Sequence, residues 1–285
     1  MPIDANRGAV LVTGASTGIG RACVEHLDGL GFTVFAGVRK EADADSIRGS
    51  GSAGTTPLIL DVTRPESIAA AMQTVGEAAP AGLSGLVNNA GVSVGGPLEF
   101  VAVEEWRRQL EVNLIGQVAM TQAALPSLRR ARGRIVNMTS IGGRLASPFL
   151  APYNASKFAL EAVTDALRVE LRQFGIEVAA VEPGAVVTPI WGKGRASAEE
   201  AVAGMPAEAT RLYSAGIAAI SRFIDQGERS GVQPLEVARA VEHALTAKRP
   251  KTRYVVGRDA KIRLALSRLL PTRAMDSVVA RAMKL

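Results

Sequence analysis

Ala9-Val10-Leu11-Val12-Thr13 runs straight into Gly14-Ala15-Ser16-Thr17-Gly18-Ile19-Gly20, and then into a helical pattern from Arg21 to Leu30. A short buried-strand pattern, a glycine-rich turn and a helix leave a chain few architectures. Glycines let the backbone approach a pyrophosphate, and a helix N-terminus offers it unpaired N–H groups. The spacing is Gly-x-x-x-Gly-x-Gly instead of the commoner Gly-x-Gly-x-x-Gly. Gly14, Ser16, Thr17, Gly18, Ile19 and Gly20 are therefore the candidate nucleotide cradle.

The rest of the chain continues the alternation. Thr33–Val38 predicts a second strand, Pro57–Leu60 a third, Gly85-Leu86-Val87 a fourth, Gly133–Met138 a fifth and Ile176–Val181 a sixth. Helical patterns at Ser67–Glu77 and Glu104–Arg132 lie between them, and the Gly/Ser/Ala-rich Ser50–Thr56 reads as a flexible connection. Strands alternating with helices predict an α/β fold with a doubly wound parallel sheet. Strand-end residues then gather at one edge.

Several of those strand ends carry polar groups. A nucleotide lacking a 2′-phosphate meets a carboxylate about 20 residues after the glycines. Here Val38 stands at the second strand's end, followed by Arg39 and Lys40. Two cations and no acid favour a 2′-phosphate, hence NADP(H) over NAD(H); a solvated basic loop is the plainer reading. Asp61 ends the third strand, where it can accept from an adenine amino group or cap the next helix. Asn88-Asn89-Ala90-Gly91 ends the fourth, and Thr139-Ser140 the fifth. Asn113 sits among Val112, Leu114 and Ile115, and an unpaired buried amide there would cost about 1–3 kcal/mol.

Pro152-Tyr153-Asn154-Ala155-Ser156-Lys157 opens another helical pattern, with Pro152 suited to the first turn. Tyr153 and Lys157, four apart, share one face. A phenol ionising near about 10 is a poor base at neutral pH, and a neighbouring ammonium would lower that value. Taken alone, the pair is equally an ordinary surface Tyr and Lys.

Composition removes other classes. The chain of 285 residues has Cys23 as its one cysteine and His26 and His243 as its two histidines, so an intrachain disulfide is excluded and a His-based triad or zinc site is not expected. Eleven Lys and Arg against two Asp between Lys248 and Leu285 give that stretch +9, leaving −3 for the other 247 residues. The excess base belongs to the C-terminal part, which argues against nucleic acid as a partner. Met1–Gly8 has no apolar signal core and no run approaches 18 apolar residues, so the cytoplasm is the expected compartment.

Together these motifs resemble the short-chain dehydrogenase/reductase family of classical type, over roughly residues 8–190. Thr13–Gly20 matches its Thr-Gly-x-x-x-Gly-x-Gly turn and Asn88-Asn89-Ala90-Gly91 its Asn-Asn-Ala-Gly segment. Asn113, Ser140, Tyr153 and Lys157 fall on its catalytic tetrad. The resemblance implies a Rossmann-type catalytic domain spanning 1–285. Cofactor contacts are implied for the glycine turn, Arg39, Lys40, Asp61, Val62, Asn89, Ala90, Gly91, Tyr153 and Lys157, and for Pro183, Gly184, Val186 and Thr188. It also implies that Tyr153 exchanges the proton on the substrate oxygen and that Ser140 donates to that oxygen. Lys157 would lower the tyrosine pKa, and Asn113 would position a water leading to Lys157. No metal is implied. His243–Ala247 and Lys251–Tyr254 are similar to retinol- and hydroxysteroid-dehydrogenase-like members.

Trp191–Val232 is expected to be a lid over a hydrophobic substrate such as a steroid, retinoid or other lipid-like ketone, with packing as the plainer reading. Lys261–Leu285 reads as a basic amphipathic tail broken at Pro271, packed on the body or a sister subunit in preference to a membrane surface. A homo-oligomer is expected. Reduction with NADPH is the leading function; NAD-dependent oxidation of an alcohol or hydroxysteroid, and a silent nucleotide sensor, are the alternatives.

Overall fold

Alternation within each strand decides the layering. In β1 (Ala9–Thr13), Val10 and Val12 belong to one apolar cluster and Ala9 and Leu11 to another, all four buried. In β2 (Thr33–Val38), Val34, Ala36 and Val38 oppose Phe35 in the same way. A strand apolar on both faces must be covered twice, which places helices on both sides of a parallel sheet.

The computed structural model describes residues 7–50, 53–188 and 206–284. The remaining strands are β3 (Thr55–Ile59), β4 (Leu83–Asn88), β5 (Arg134–Met138), β6 (Glu177–Pro183) and β7 (Arg253–Val256). All seven pair in parallel, in the order β3-β2-β1-β4-β5-β6-β7. The chain winds outward from β1 to β3, returns to β4 beside β1, and winds the other way. That reversal opens a crevice at the carboxyl ends of β1 and β4.

The helices are α1 (Gly18–Gly29), α2 (Glu41–Arg48), α3 (Pro65–Ala78), α4 (Val103–Leu110), α5 (Gly116–Ala131) and α6 (Ala151–Glu170). They are followed by α7 (Ala207–Ser230), α8 (Pro234–Thr246), α9 (Arg258–Leu269) and α10 (Thr272–Met283). Cys23, Val24 and Leu27 of α1, Ala44 and Ile47 of α2, and Val237 and Val241 of α8 cover one face. Ile68 and Val75 of α3 with Met120, Ala124 and Leu128 of α5 cover the other. His26 Nε2 and Glu242 Oε2, 2.7 Å apart, tie α1 to α8.

Three features differ from the expectations above. Thr55 and Thr56 pair with Val34 and Phe35, so β3 begins inside the predicted connection. The Glu104–Arg132 pattern is divided by a π-helical turn at Glu111–Ile115. The basic C-terminal part begins with a strand, β7, hydrogen-bonded to β6 over Ala180–Pro183. Pro271 does split the tail, following an extended Leu270. No helix among the described residues is long and apolar enough to cross a membrane.

Candidate active site

The glycine turn is shaped by close approach. Gly14 has φ +66°, and a Cβ on Gly20 would lie 2.2 Å from the Gly14 carbonyl oxygen. Asn89 Nδ2 donates to the carbonyls of Thr13 (2.9 Å) and Gly14 (3.1 Å). Thr13 Oγ1 accepts from the amides of Asn89 (2.9 Å) and Ala90 (3.0 Å). Asn89 and Ala90 therefore brace the turn from β4. Thr17 caps α1 without a side-chain hydrogen bond to its first turn, so those amides are left for a ligand. A backbone cradle bare of side chains at a helix N-terminus fits a pyrophosphate.

At the far side of the crevice Val38 is buried while Arg39 and Lys40 are exposed, and neither cation forms an ion pair among the described residues. Asp61 Oδ1 accepts from the Thr63 amide (3.0 Å) and hydroxyl (2.7 Å). Burial alone would raise its carboxyl, but the Thr63 bonds and the charges of Arg39 and Arg64 prevail and hold it below the usual range. Asp61 does not cap α3, whose N-cap is Arg64. Val62 is buried beside it and would meet any Cβ on Gly116 at 2.8 Å.

Gln109, Asn113 and Gln117, spaced four apart, are buried and face the segment after β4. Gln109 Nε2 donates to the Val92 carbonyl (2.8 Å) and its Oε1 accepts from the Val94 amide (2.7 Å). Asn113 Oδ1 accepts from the Val92 amide (2.8 Å), and its Nδ2 donates to the Val92 carbonyl (3.0 Å) and to Ser156 Oγ (3.3 Å). Gln117 Nε2 donates to the Ala90 carbonyl (2.9 Å). These amides stand in for a missing strand partner along residues 90–94. Both Nδ2 protons of Asn113 are taken, so this amide group has none to donate to a water. π-helical turns of this kind often mark functional sites.

α6 brings the two central polar groups together, with Pro152 in its first turn. Lys157 Nζ is buried, donates to the Met138 carbonyl (2.7 Å), and lies 5.9 Å from the centroid of the Tyr153 ring. Burial pulls its ammonium down to about 8, against the opposing pull of the Glu161 charge. Burial also pushes the Tyr153 phenol up, and the neighbouring Ser140 hydroxyl, which donates to the Pro183 carbonyl (3.5 Å), lowers it in part. Lys157 is expected from the sequence to lower the phenol; here its ammonium is turned to the Met138 carbonyl. Ser140 Oγ also accepts from the Gly142 amide (3.0 Å). A Cβ on Gly143 would come within 2.8 Å of the Lys157 carbonyl oxygen, so this turn lies flat against α6 and sets Ser140 beside Tyr153.

Beneath Lys157 lies an ionic cluster. Arg253 of β7 bonds Glu161 Oε2 (3.1 Å) and both oxygens of Asp165 (2.6 Å), and its Nε is 3.1 Å from Glu182 Oε1. Arg144 Nη1 reaches the same Glu182 oxygen at 3.1 Å. Glu182 is raised by burial first and by the like charge of Glu161 second, Arg144 and Arg253 opposing both.

A cavity of about 210 Å³ joins these parts. Ile19, Asn89, Gly91, Asn113, Ser140, Tyr153, Lys157, Pro183, Gly184, Val186 and Thr188 all line it. The Pro183–Thr188 loop is fixed where Gly184 N donates to the Val256 carbonyl (2.9 Å) and Val187 N to that of Val232 (2.9 Å). Of the expected lid, Trp191–Val232, residues 191–205 lie outside the described residues. α7 continues it: Ile220 lines the cavity, and the Tyr213 ring meets Phe100 and Phe149 edge-on at 5.9 and 6.3 Å. Its hydroxyl donates to Glu99 Oε2 (2.8 Å).

Sequence reasoning missed Gln109, Gln117, Glu161, Asp259 and Arg263. The i, i+4, i+8 spacing of the first pair with Asn113 was a usable signal, and so was Glu161 one turn after Lys157. Asp259 and Arg263 reach the cavity from α9, and no local pattern announces that.

Residues 8–199 match the family model described as short chain dehydrogenase. The NADPH-dependent 3-dehydrocapnine reductase of Ornithobacterium rhinotracheale is 36% identical over 280 residues, covering 96% of each chain. Human retinol dehydrogenase 16 is 38% identical over 276 residues, 95% of this chain and 87% of its own. Among solved structures, a short chain dehydrogenase from Burkholderia cenocepacia in complex with NADP superposes with a TM-score of 0.74 at 26% identity, over 98% of this chain and 99% of the other. A parallel sheet reversing at β1, a glycine cradle there and a Tyr–Lys–Ser group in the cavity beside it thus coincide with sequence matches along the whole chain, which belongs to the short-chain dehydrogenases, NAD(P)-dependent enzymes that transfer hydride between alcohol and carbonyl groups.

Proposed function

We propose that this enzyme reduces a predominantly apolar ketone to its secondary alcohol with NADPH, Ser140, Tyr153 and Lys157 forming the reaction centre. The observation that carries the reading is that Ser140, Tyr153 and the buried Lys157 line one cavity, with the Ser140 hydroxyl near enough to the phenol to pull it down in part. The bound nicotinamide nucleotide supplies the hydride. Ser140 and Tyr153 present two hydroxyls to one substrate oxygen, which fixes the carbonyl and stabilises charge developing on it. Tyr153 gives its proton to that oxygen as the alcohol forms. A phenol held up by burial is the protonated form needed in this direction. Lys157, pulled to about 8, is poised to pass protons near neutral pH. Asn113 acts as a positioning residue through Val92 and Ser156.

For the cofactor, Arg39 and Lys40 are exposed at the end of β2 with no acid at Val38, which supports a 2′-phosphate. The reductase relative named as NADPH-dependent and the neighbour bound to NADP lie in the same direction. For the substrate, Val92, Ile141, Leu150, Val186 and Ile220 make much of the cavity wall apolar. The relatives named as retinol and 17-beta-hydroxysteroid dehydrogenases support a lipid-like ketone. α7, whose Ile220 lines the cavity, is assigned as part of the lid. The docking of α9 against the cavity supports body packing for the first half of the tail.

The test is NADPH and NADH oxidation against a panel of aliphatic, steroid and retinoid carbonyls. Activity with NADPH above NADH is expected, with Tyr153→Phe lowering kcat by about 10²-fold or more. A Tyr153→Phe enzyme at near wild-type rate would overturn the mechanism.

A further inference from the structure

Arg263 is a cation the hydride-transfer chemistry does not use. It sits on α9, lines the cavity with Ser140 and Tyr153, and is half-buried. Its Nη2 donates to Ser147 Oγ (3.2 Å) across 116 residues of sequence. Ser147 is itself held, its carbonyl accepting from Asn154 Nδ2 (2.9 Å) one residue from Tyr153. The guanidinium therefore stands in the cavity wall, on the side of the 141–150 loop.

Its base is equally fixed. Asp259, one turn earlier on α9, accepts from the Ala185 amide (3.3 Å). A Cβ on Gly184 or Gly257 would fall 2.6 Å from its carboxylate, so that group is packed into backbone. Among the described residues no carboxylate lies within ion-pair distance of Arg263, and the charge of Asp259 only partly offsets the cost of its burial. A guanidinium has five N–H donors and stays charged at any working pH. Ser147 takes one. Placing such a group in an apolar wall with most donors unspent is costly unless something else accepts them.

We propose that Arg263 is a specificity residue that binds an oxyanion on the substrate, so that the preferred ketone is amphipathic: an apolar chain with a carboxylate, sulfonate or similar group at the end away from the carbonyl. The planar fork suits two oxygens of such a group, and with Lys157 committed to the Met138 carbonyl, Arg263 is the cation left in the cavity wall among the described residues. The inference rests on the ketone-reductase reading above and adds a charged end to it.

The test uses the full-length enzyme with methyl ketones CH3CO(CH2)nCO2− for n from 3 to 9, each beside its methyl ester. At the best-fitting length, kcat/KM for the acid is expected to exceed that for the ester at least tenfold. Arg263→Met should collapse the acid-to-ester ratio towards one, and Arg263→Lys should keep part of it. Equal use of acid and ester at every length, or a fall in both by the same factor in Arg263→Met, would overturn the proposal and leave Arg263 as a strap between α9 and the 141–150 loop. Calorimetry with decanoate and decanol on the NADPH-loaded enzyme separates the two readings when no ketone turns over. Decanoate binding that is lost in Arg263→Met then supports the oxyanion site while the reductase reading fails; equal binding of the two sinks the site.

Discussion

Lys157 carries an energetic cost that its position makes measurable. Its ammonium is buried against the Met138 carbonyl and titrates near 8, well below the ordinary 10.5. Below pH 8 both folded and unfolded chains bind the proton, and the full cost of burying the charge is present. Between 8 and 10.5 the unfolded chain binds more protons than the folded one, so this group's contribution to stability rises with pH. The rise should be on the order of 3 kcal/mol. Urea unfolding at pH 7 and pH 10 should therefore show wild type gaining on Lys157→Met between the two. A difference between them that does not move with pH would mean that Lys157 titrates normally. Cys23 is the contrasting case: burial pushes its thiol up to about 12, leaving an inert core side chain.

At the scale of elements, α4, the π-helical turn and α5 act as one rod whose amides grip the segment after β4. The gripping groups are side chains because residues 90–94 have left the sheet and still carry peptide groups that must be paired. Gln109 satisfies two of them, the Val92 carbonyl and the Val94 amide, at a buried site. Gln109→Ala should destabilise the protein by about 1–3 kcal/mol, read by urea denaturation. KM for the alcohol or carbonyl substrate should rise with it, since Val92 lines the cavity. A loss under about 0.5 kcal/mol would show that water replaces the amide without cost. The glycine turn is braced by the same device, Asn89 acting on the Thr13 and Gly14 carbonyls.

In the whole molecule the C-terminal part is divided between structure and periphery. β7 completes the sheet and delivers Arg253 to Glu161, Asp165 and Glu182 under the reaction centre. α9 supplies Asp259 and Arg263 to the cavity. α10 buries no residue and is held by contact with α7 and α9, including the bond from Arg222 Nη2 to the Met283 carbonyl (3.1 Å). Ending the chain at Leu270 should cost under about 0.5 kcal/mol and leave NAD(P)H-dependent turnover in place. Loss of folding or activity in that truncation would show that α10 is part of the enzyme's core.

What the sequence alone determined is whatever depends on local spacing and on apolar period. Val10/Val12 against Ala9/Leu11 requires a sheet covered twice; Gly14–Gly20 requires a bare turn before a helix; Tyr153 and Lys157, four apart, must share a face. Those relations are settled within a few residues by backbone geometry, and they made the fold and the candidate site legible. Tertiary structure alone decided the relations between distant segments. It turned the Lys157 ammonium to Met138, assigned Asn113 to Val92, and turned a basic C-terminal stretch into Arg253 under the site and Arg263 in its wall. Burial and pairing depend on which surfaces meet, and segments more than a hundred residues apart, such as Ser147 and Arg263, carry no local record that they will.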